Sequence, residues 1–261
     1  MRVLVVGDVH GRHRELIAVL RQAQADYRVA AAIQVGDFGF NREAIGRLIA
    51  DARPFPVPLH VIDGNHEDHR WLRRAVLTGA AGGWRGELNL FFQPRSSIVR
   101  FGSSKVGFIG GALNADRPQR HNLFGGFPNY ILRRQRQHAI TLFNRERPEL
   151  VVTHSCPAGI GLGLRGSPGL ELEVAEHIAA AGFDPGPRDD RGETELSRLW
   201  AGLRYRPRAW VFGHFHRSHQ ALIEGTRFVC VDDDLAAPDR LLAIWDTEEK
   251  LLLRCPADPS R

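Results

Sequence analysis

Aspartate, asparagine and histidine residues directly follow five strand-like apolar runs of the chain. These residue types bind cations and move protons, which is the chemistry that a site built from them would perform. Because open α/β sheets bind ligands in the crevice beyond the carboxyl ends of their strands, we expect the five clusters to converge. Residues two apart after a strand project to the same side, so each such pair can hold one ion. The clusters are Asp8 with His10, Asp37, Asn65 with His66, His154, and His214 with His216.

The metal-ligating part of this set contains four imidazoles, two carboxylates and one amide. A site of nitrogen and oxygen ligands without thiolate suits Mn, Fe or Zn. Seven ligands exceed what one catalytic ion with an open position uses, whereas two ions about 3.5–4 Å apart that share a carboxylate would use them all. Such a cationic pair attracts phosphate and acidifies water near neutral pH. Because phosphate esters hydrolyse very slowly unaided, they are the substrates that need such a centre.

Alternating strands and helices position the first three clusters. The pattern predicts strand Arg2–Val6 before helix Arg14–Ala25, Ala31–Val35 before Arg42–Ala52, and Leu59–Ile62 before Glu67–Leu77. Three such units in series favour an α/β fold with a largely parallel sheet. The other predicted elements are a hairpin at Ser97–Phe101 and Lys105–Ile109, helices at Tyr130–Arg145, Glu171–Ala181 and Glu193–Leu203, strands at Leu150–Val152 and Trp210–Phe212, and antiparallel strands at Ala221–Ile223, Arg227–Val231, Leu241–Trp245 and Leu251–Leu253.

Taken together, the motifs resemble the signature of the calcineurin-like metallophosphoesterases, including small bacterial and phage members. In chain order they are Gly7-Asp8-Val9-His10-Gly11, Gly36-Asp37, Gly64-Asn65-His66-Glu67, His154 and Gly213-His214-Phe215-His216. One motif alone is weakly specific, but the whole set in this order over residues 7 to 216 is strongly specific. The resemblance implies a four-layer α/β/β/α sandwich with a dinuclear metal site at the carboxyl-terminal edge of its strands. We expect residues 1–261 to form this single domain.

The resemblance also implies a role for each site residue. Asp8, His10 and His216 would bind one metal ion, and Asp37 would bridge both ions. The second ion would be bound by Asn65, His154 and His214. A hydroxide between the ions would attack phosphorus in line. His66 would donate a proton to the leaving oxygen or stabilise the transition state as the catalytic histidine. Two divalent ions are therefore the expected cofactors, Mn²⁺ first, with Fe and Zn fitting the same ligands.

The sequence departs from the protein phosphatases of this superfamily after the second aspartate. Those enzymes carry Asp-Arg-Gly there, whereas this chain has Phe38-Gly39-Phe40-Asn41-Arg42. A protein phosphatase is therefore disfavoured, and the group that orients His66 stays open. The segment from Gly110 to Arg117 is similar to one found in some small members. Arg117 or Arg120 is a candidate to bind the substrate phosphate in a bidentate contact, although an exposed loop arginine explains either equally well. Weaker candidates are Arg12, Arg42 and Arg217.

Several residues have simpler explanations. Alone, Asp8, Asp37 or Asn65 would be a helix N-cap, but their occurrence with four matched histidines favours metal binding. We expect His60 to be a satisfied core histidine. Histidines without a strand-end context are expected to be solvated, namely His13, His69, His121, His138, His177 and His219. The glycine pattern at 161–166 lacks the strand and helix of a dinucleotide site and is interpreted as a loop, and Cys156 as a small buried filler.

Composition excludes several classes of protein. With 43% hydrophobic and 25% charged residues, the chain is an ordinary globular one. The 35 basic and 30 acidic residues give a charge of +5, and 33 of the basic residues are arginine. Arginine is well suited to binding phosphate, but a codon preference also explains its abundance. The three cysteines form no disulfide framework, which favours a reducing compartment. Apolar runs are too short for a membrane span or signal peptide, so we expect a cytoplasmic protein without a membrane partner.

The most specific interpretation is a metal-dependent phosphoesterase that hydrolyses a phosphomonoester or phosphodiester, with a phosphorylated small molecule or nucleotide as substrate. One alternative uses the same centre as a nuclease or cyclic-nucleotide phosphodiesterase, and nucleic acid is disfavoured because no platform of stacking aromatics is visible. The other alternative is a metal-binding scaffold without turnover. The intact His66 and the full ligand set argue against it. The sequence leaves the oligomeric state open.

Overall fold

The computed structural model describes residues 1–51, 54–77, 86–114, 123–124, 127–163, 168–233, 235 and 242–254. Two six-stranded sheets form its centre. A separate two-stranded ribbon pairs β7 (Leu123–Phe124) with β8 (Phe127–Pro128). The predicted α/β class is confirmed.

Four adjacent parallel strands extend from the middle of the first sheet to one of its edges. They are β1 (Arg2–Val6), β2 (Val29–Gln34), β3 (Leu59–Val61) and β4 (Leu90–Phe92). On the far side of β1, β13 (Leu242–Asp246) pairs antiparallel, followed by antiparallel β14 (Leu251–Arg254). The chain therefore returns to its first strand after passing through the second sheet.

The second sheet has a parallel centre with antiparallel edges. Its parallel strands are β6 (Ser104–Ile109), β9 (Leu150–Thr153), β10 (Ala209–Phe212) and β12 (Thr226–Cys230). Its edge strands are β5 (Ser97–Phe101) and β11 (His219–Ile223). The expectation that all tail strands are antiparallel is wrong for one side of β12. This strand pairs antiparallel with β11 but parallel with β10, because the chain reverses direction before β11 and again before β12.

Helices cover the outer face of each sheet. On the first sheet, α1 (His13–Tyr27), α2 (Arg42–Ala50) and α3 (His69–Leu77) share an apolar core with β1, β2 and β3. On the second, α4 (Arg133–Glu146) and α6 (Thr194–Gly202) pack against β9 and β10. The remaining helices are α5 (Pro168–Ala180) and a short 3₁₀ turn at Gly86–Leu88.

A third apolar core lies between the two sheets. Val5 and Ile33 of the first sheet pack in one cluster with Phe108, Val152 and Val211 of the second. All five are fully buried, and burying such a side chain contributes about 1.5–3 kcal/mol. The result is the four-layer α/β/β/α arrangement that the sequence predicts, with both sheets held face to face.

Polar side chains define where two site-bearing loops end. Asn41 caps α2, since its side-chain oxygen accepts the backbone N–H of Ala44 at 2.8 Å. Asp68 accepts the N–H of Trp71 at 2.9 Å, so α3 begins at His69 rather than at the predicted Glu67. The two residues that the prediction assigned to the helix instead extend the loop after β3, where the site begins.

Candidate metal centre

Five loops bring the predicted ligands to one edge shared by both sheets. Asp8, Asp37 and Asn65 follow β1, β2 and β3 of the first sheet, whereas His154 and His214 follow β9 and β10 of the second. All seven predicted ligands and His66 lie in described parts of the chain. The site therefore lies across the junction of the two sheets.

One group of ligands forms around Asp8. Its Oδ2 lies 3.2 Å from Nε2 of His216 and 3.9 Å from Nε2 of His10. The two imidazole Nε2 atoms are 3.1 Å apart. Asp8 is buried and the two rings are partly exposed, so the group opens to solvent on its histidine side. This spacing is compact enough for one cation to contact all three side chains.

A second group forms around Asp37. Its Oδ2 lies 3.5 Å from Nε2 of His154, and that Nε2 lies 2.9 Å from Oδ1 of Asn65. The other ring nitrogen, Nδ1 of His154, lies 2.8 Å from the carbonyl oxygen of Val35, to which it donates. In the neutral ring the lone pair of Nε2 therefore faces two oxygen lone pairs. Such a convergence is stable only with a positive charge among the three atoms.

The buried carboxylate of Asp37 provides a test of whether a metal fits. Its Oδ2 is buried and accepts no hydrogen bond from any residue that the structure describes. The same atom lies 4.0 Å from Nε2 of His10, so it faces both groups of ligands. An unsatisfied buried carboxylate oxygen is costly, and oxygen with imidazole nitrogen is a suitable donor set for divalent ions. The residues present therefore fit the metal pair.

His214 links the two groups. Its backbone N–H lies 3.2 Å from both carboxylate oxygens of Asp8, and its ring lies 5.0 Å from that of His154. The structure thus places the ring of His214 near His154, in the group around Asp37. Its role as a ligand stays a prediction.

The backbone at the site adopts conformations that ordinary residues avoid. His10, Asp37, His214 and His216 have φ angles of 49°, 54°, 70° and 50°. Non-glycine residues in this region cost on the order of 1–3 kcal/mol each and persist where surrounding structure holds them. At Asp37 the carbonyl oxygen accepts the N–H groups of Val9 and His10 at 3.1 and 2.7 Å, which ties two site loops together.

Charges within the site act against the effect of burial. Burial raises the pKa of Asp37, but the charges of His154, His66 and His10 outweigh it and hold this pKa well below its usual value. Burial lowers the pKa of His154, but Asp37 and Asp8 raise it to about 10. The buried acids therefore stay negative and the ring of His154 takes up a proton beside them, a positive charge that a bound divalent cation would replace.

A model of the calcineurin-like phosphoesterase family matches residues 1–218. The chain belongs to this family. It is therefore a hydrolase that acts on phosphoric ester bonds, and such enzymes typically depend on two metal ions. No curated protein matches the sequence of this phosphoesterase.

Solved structures share the fold at low sequence identity. A protein from Thermus thermophilus has 14% identity and a TM-score of 0.53, with 96% of each chain covered. A candidate 5′-nucleotidase from Staphylococcus aureus has 14% identity and a TM-score of 0.53, covering 100% of this phosphoesterase and 55% of that chain. The anchor protein of the Plasmodium inner membrane complex has 11% identity and a TM-score of 0.50, covering 99% and 89%. These likenesses support the fold.

His66 lies beside both groups of predicted ligands in the phosphoesterase. Its backbone N–H donates to Oδ1 of Asp37 at 2.8 Å, and its Nε2 lies 3.8 Å from Oδ2 of the same residue. Its ring lies 5.4 Å from the ring of His10. This backbone bond fixes the position of His66 beside Asp37.

Glu67 is a structural residue of the site that sequence reasoning did not single out. Its buried carboxylate accepts three consecutive backbone N–H groups, from Phe38 at 2.9 Å, Gly39 at 3.1 Å and Phe40 at 2.6 Å. Glu67 therefore clamps the loop after Asp37 onto the loop that carries Asn65. The signal that could have indicated this role was an acidic residue inside the motif, just before the residue where the helix begins.

Asp233 is a second residue that sequence reasoning missed. Its Oδ2 lies 3.5 Å from Nδ1 of His216 and 3.8 Å from a guanidinium nitrogen of Arg12. Arg12 also donates to the carbonyl oxygen of Asp233. A carboxylate on the far side of a metal-binding imidazole orients the ring. Arg12 is thus placed to hold Asp233 rather than to contact substrate directly.

The prediction that His13 and His69 are solvated is wrong. Both are buried, and burial lowers the pKa of each to about 4, so both are neutral at pH 7. Nε2 of His13 lies 3.0 Å from the carbonyl oxygen of Phe38. His138 is exposed as expected, whereas His177 and His219 are half-buried. Arg117, Arg120 and His121 lie outside the described residues.

The backbone of Gly64 lies so close to Asp37 that a side chain at this position should affect metal binding. A Cβ at Gly64 would overlap the carboxylate and backbone nitrogen of Asp37. We expect Gly64→Ala to displace Asp37 and weaken binding of both cations, by about 10-fold or more, as seen for disturbed metal sites. The matched control is Gly46→Ala on α2, where a Cβ meets nothing within 4 Å. Equal metal affinity in both variants would contradict the expectation.

Proposed function

We propose that the phosphoesterase hydrolyses a phosphomonoester or phosphodiester at this edge of the two sheets. The observation that carries the proposal is Oδ2 of Asp37, a buried and unsatisfied oxygen within 4.0 Å of the imidazoles of His10, His66 and His154. One carboxylate facing both groups of ligands is what a shared metal bridge requires. The described residues offer no comparable arrangement elsewhere.

Seven side chains would hold two divalent cations, with Mn²⁺ the first candidate and Fe or Zn alternatives. One ion would be held by Asp8, His10 and His216, with Asp37 shared. The other would be held by Asn65, His154 and His214. When bound, the cations supply an acidified water as nucleophile and positive charge for the phosphate.

His66 would provide the proton that the leaving group needs. As water adds to phosphorus and the P–O bond to the leaving group breaks, the ring nitrogen of His66 donates its proton to the departing oxygen. The bond from its backbone N–H to Asp37 keeps the ring beside the centre throughout. Asp233 holds His216 and Glu67 holds the loop of Asp37, so the ligands are preorganised.

The substrate class follows from this chemistry. We propose a phosphorylated small molecule or a nucleotide, bound through its phosphate, with Arg117 or Arg120 as the bidentate anion contact. We further propose that residues 1–261 act as one domain and that the protein is cytoplasmic. No helix among the described residues is both long and apolar enough to span a bilayer.

A substrate panel tests the proposal. Metal-free protein is loaded separately with Mn²⁺, Fe²⁺ and Zn²⁺ and assayed on p-nitrophenyl phosphate, bis-p-nitrophenyl phosphate, nucleotides and single-stranded DNA. We expect turnover of a small phosphoester that chelation abolishes and metal restores. Turnover of DNA alone would favour the nuclease. Two bound metals without any turnover would favour the scaffold, a role that the fold of the Plasmodium anchor protein makes worth testing.

A further inference from the structure

The amide of Asn65 must be turned the right way round to serve as a ligand. Only its carbonyl end can bind a cation, because the NH₂ end has no lone pair to offer. In the structure Oδ1 of Asn65 faces Nε2 of His154 at 2.9 Å, while Nδ2 donates to Oδ1 of Asn114 at 2.9 Å. Both asparagines are buried. An amide in the opposite orientation would point its NH₂ group at the centre and set its oxygen against Oδ1 of Asn114, so that two acceptors would face each other.

The segment that carries Asn114 is anchored at three consecutive backbone groups. The N–H of Gly111 donates to the carbonyl oxygen of Asp63 at 2.7 Å, and the N–H of Ala112 to that of Asn129 at 3.0 Å. The N–H of Leu113 donates to the buried carboxylate of Glu193 at 3.0 Å. These three acceptors come from separate parts of the chain, so the position of the following residue, Asn114, is fixed from several sides.

A partly buried arginine also holds this segment. Arg95 binds Oδ2 of Asp63 through Nε at 2.9 Å and Nη2 at 2.7 Å. It also donates to the carbonyl oxygens of Asn129 at 2.8 Å and Tyr130 at 2.6 Å. Both acceptor residues that anchor Gly111 and Ala112 are therefore tied to one guanidinium. A residue that positions a ligand must itself be held rigidly, and these anchors hold the segment of Asn114 in this way.

We propose that Asn114 is a positioning residue that orients Asn65 for the second cation, the one shared by Asp37, His154 and His214. The inference rests on the proposed function, because it assumes that the seven ligands bind two ions. Asn114 accepts the hydrogen bond of Asn65 and leaves the ligand oxygen pointing at the centre. The group around Asp8, His10 and His216 does not depend on this bond, so the effect is confined to one of the two ions.

Titration of metal-free protein with Mn²⁺ tests this role without using activity. Calorimetry gives the affinity of each equivalent, and electron paramagnetic resonance distinguishes an isolated ion from a coupled pair. We expect Asn114→Leu, which has a similar branched shape but no acceptor, to weaken the second equivalent about 10–100-fold while the first is unchanged. Its spectrum at two equivalents should keep the signal of isolated ions. The matched variant Asn114→Asp keeps an acceptor and should retain the coupled pair.

Three outcomes would overturn the inference. They are wild-type binding of both equivalents in Asn114→Leu, equal weakening of both equivalents, or the same loss in Asn114→Asp as in Asn114→Leu. Should the leucine variant fail to fold, Asn114→Ala removes the acceptor without adding bulk and carries the same expectation. A wild-type protein that binds fewer than two equivalents would instead refute the proposed function, which separates the two failures.

Discussion

The Asp37→Asn protein is expected to lose metal and activity together. The amide oxygen of asparagine is neutral and only one of its two terminal atoms can ligate, so it cannot neutralise and bridge two cations. Asp37 faces the ligands of both groups, within 4.0 Å of His10 and 3.5 Å of His154. The cations supply several kcal/mol of transition-state stabilisation, and about 1.36 kcal/mol corresponds to each factor of ten. We therefore expect turnover to fall by about 10³-fold or more.

Elemental analysis beside turnover number measures this result. The matched control is Asp26→Asn, the same chemical change on the exposed side of α1. It should keep full metal content and full activity. An Asp37→Asn protein with wild-type activity would end the proposal of a shared bridge. Loss of turnover with full retention of metal would assign Asp37 a different role.

His66→Ala is expected to separate metal binding from catalysis. The side chain of His66 is not among the seven proposed ligands, so metal content should stay at the wild-type level. A positioned general acid contributes about 10²–10⁴-fold to the rate, and this is the loss we expect in kcat. Substrates with a good leaving group need less proton donation. The loss should therefore be smaller for p-nitrophenyl esters than for alkyl esters.

Comparison of the two leaving groups makes the test specific. A structural defect would reduce the rate for both substrates by the same factor, whereas a missing acid affects the poorer leaving group more. His138→Ala, at an exposed position on α4, is the control. Equal losses for both esters, or a loss of metal in His66→Ala, would contradict the role of proton donor.

The convergence of the ligands could be predicted because it depends on a local rule. Each motif follows a strand, and the carboxyl ends of parallel strands meet at one edge. Asp8 and His154 are far apart in the sequence, yet this rule brings both to the same edge from different sheets. The α/β class follows from the alternation of strands and helices, whereas the four layers were implied by the resemblance to the family.

Residues whose role depends on distant partners could not be predicted. His13 is buried with its ring nitrogen hydrogen-bonded to the carbonyl oxygen of Phe38, 25 residues away in a loop. Asn114 meets Asn65 across 49 residues, and nothing in the pattern around either residue indicates the contact. The parallel pairing of β12 likewise depends on β10, which lies on the opposite side of β12 from its hairpin partner β11. Local periodicity carries no information about such partners.

Because the ligands come from both sheets, neither half of the chain can assemble the centre alone. Asp8, Asp37 and Asn65 reach it from the first sheet, and His154 and His214 reach it from the second, which packs against the first. Cations that recognise the complete set bind the native state and not the unfolded chain. Their binding energy then adds to the stability of the whole fold, by about 2.7 kcal/mol at a free concentration one hundred times the Kd. Ions bound by this ligand set would therefore also hold the two sheets of the phosphoesterase together.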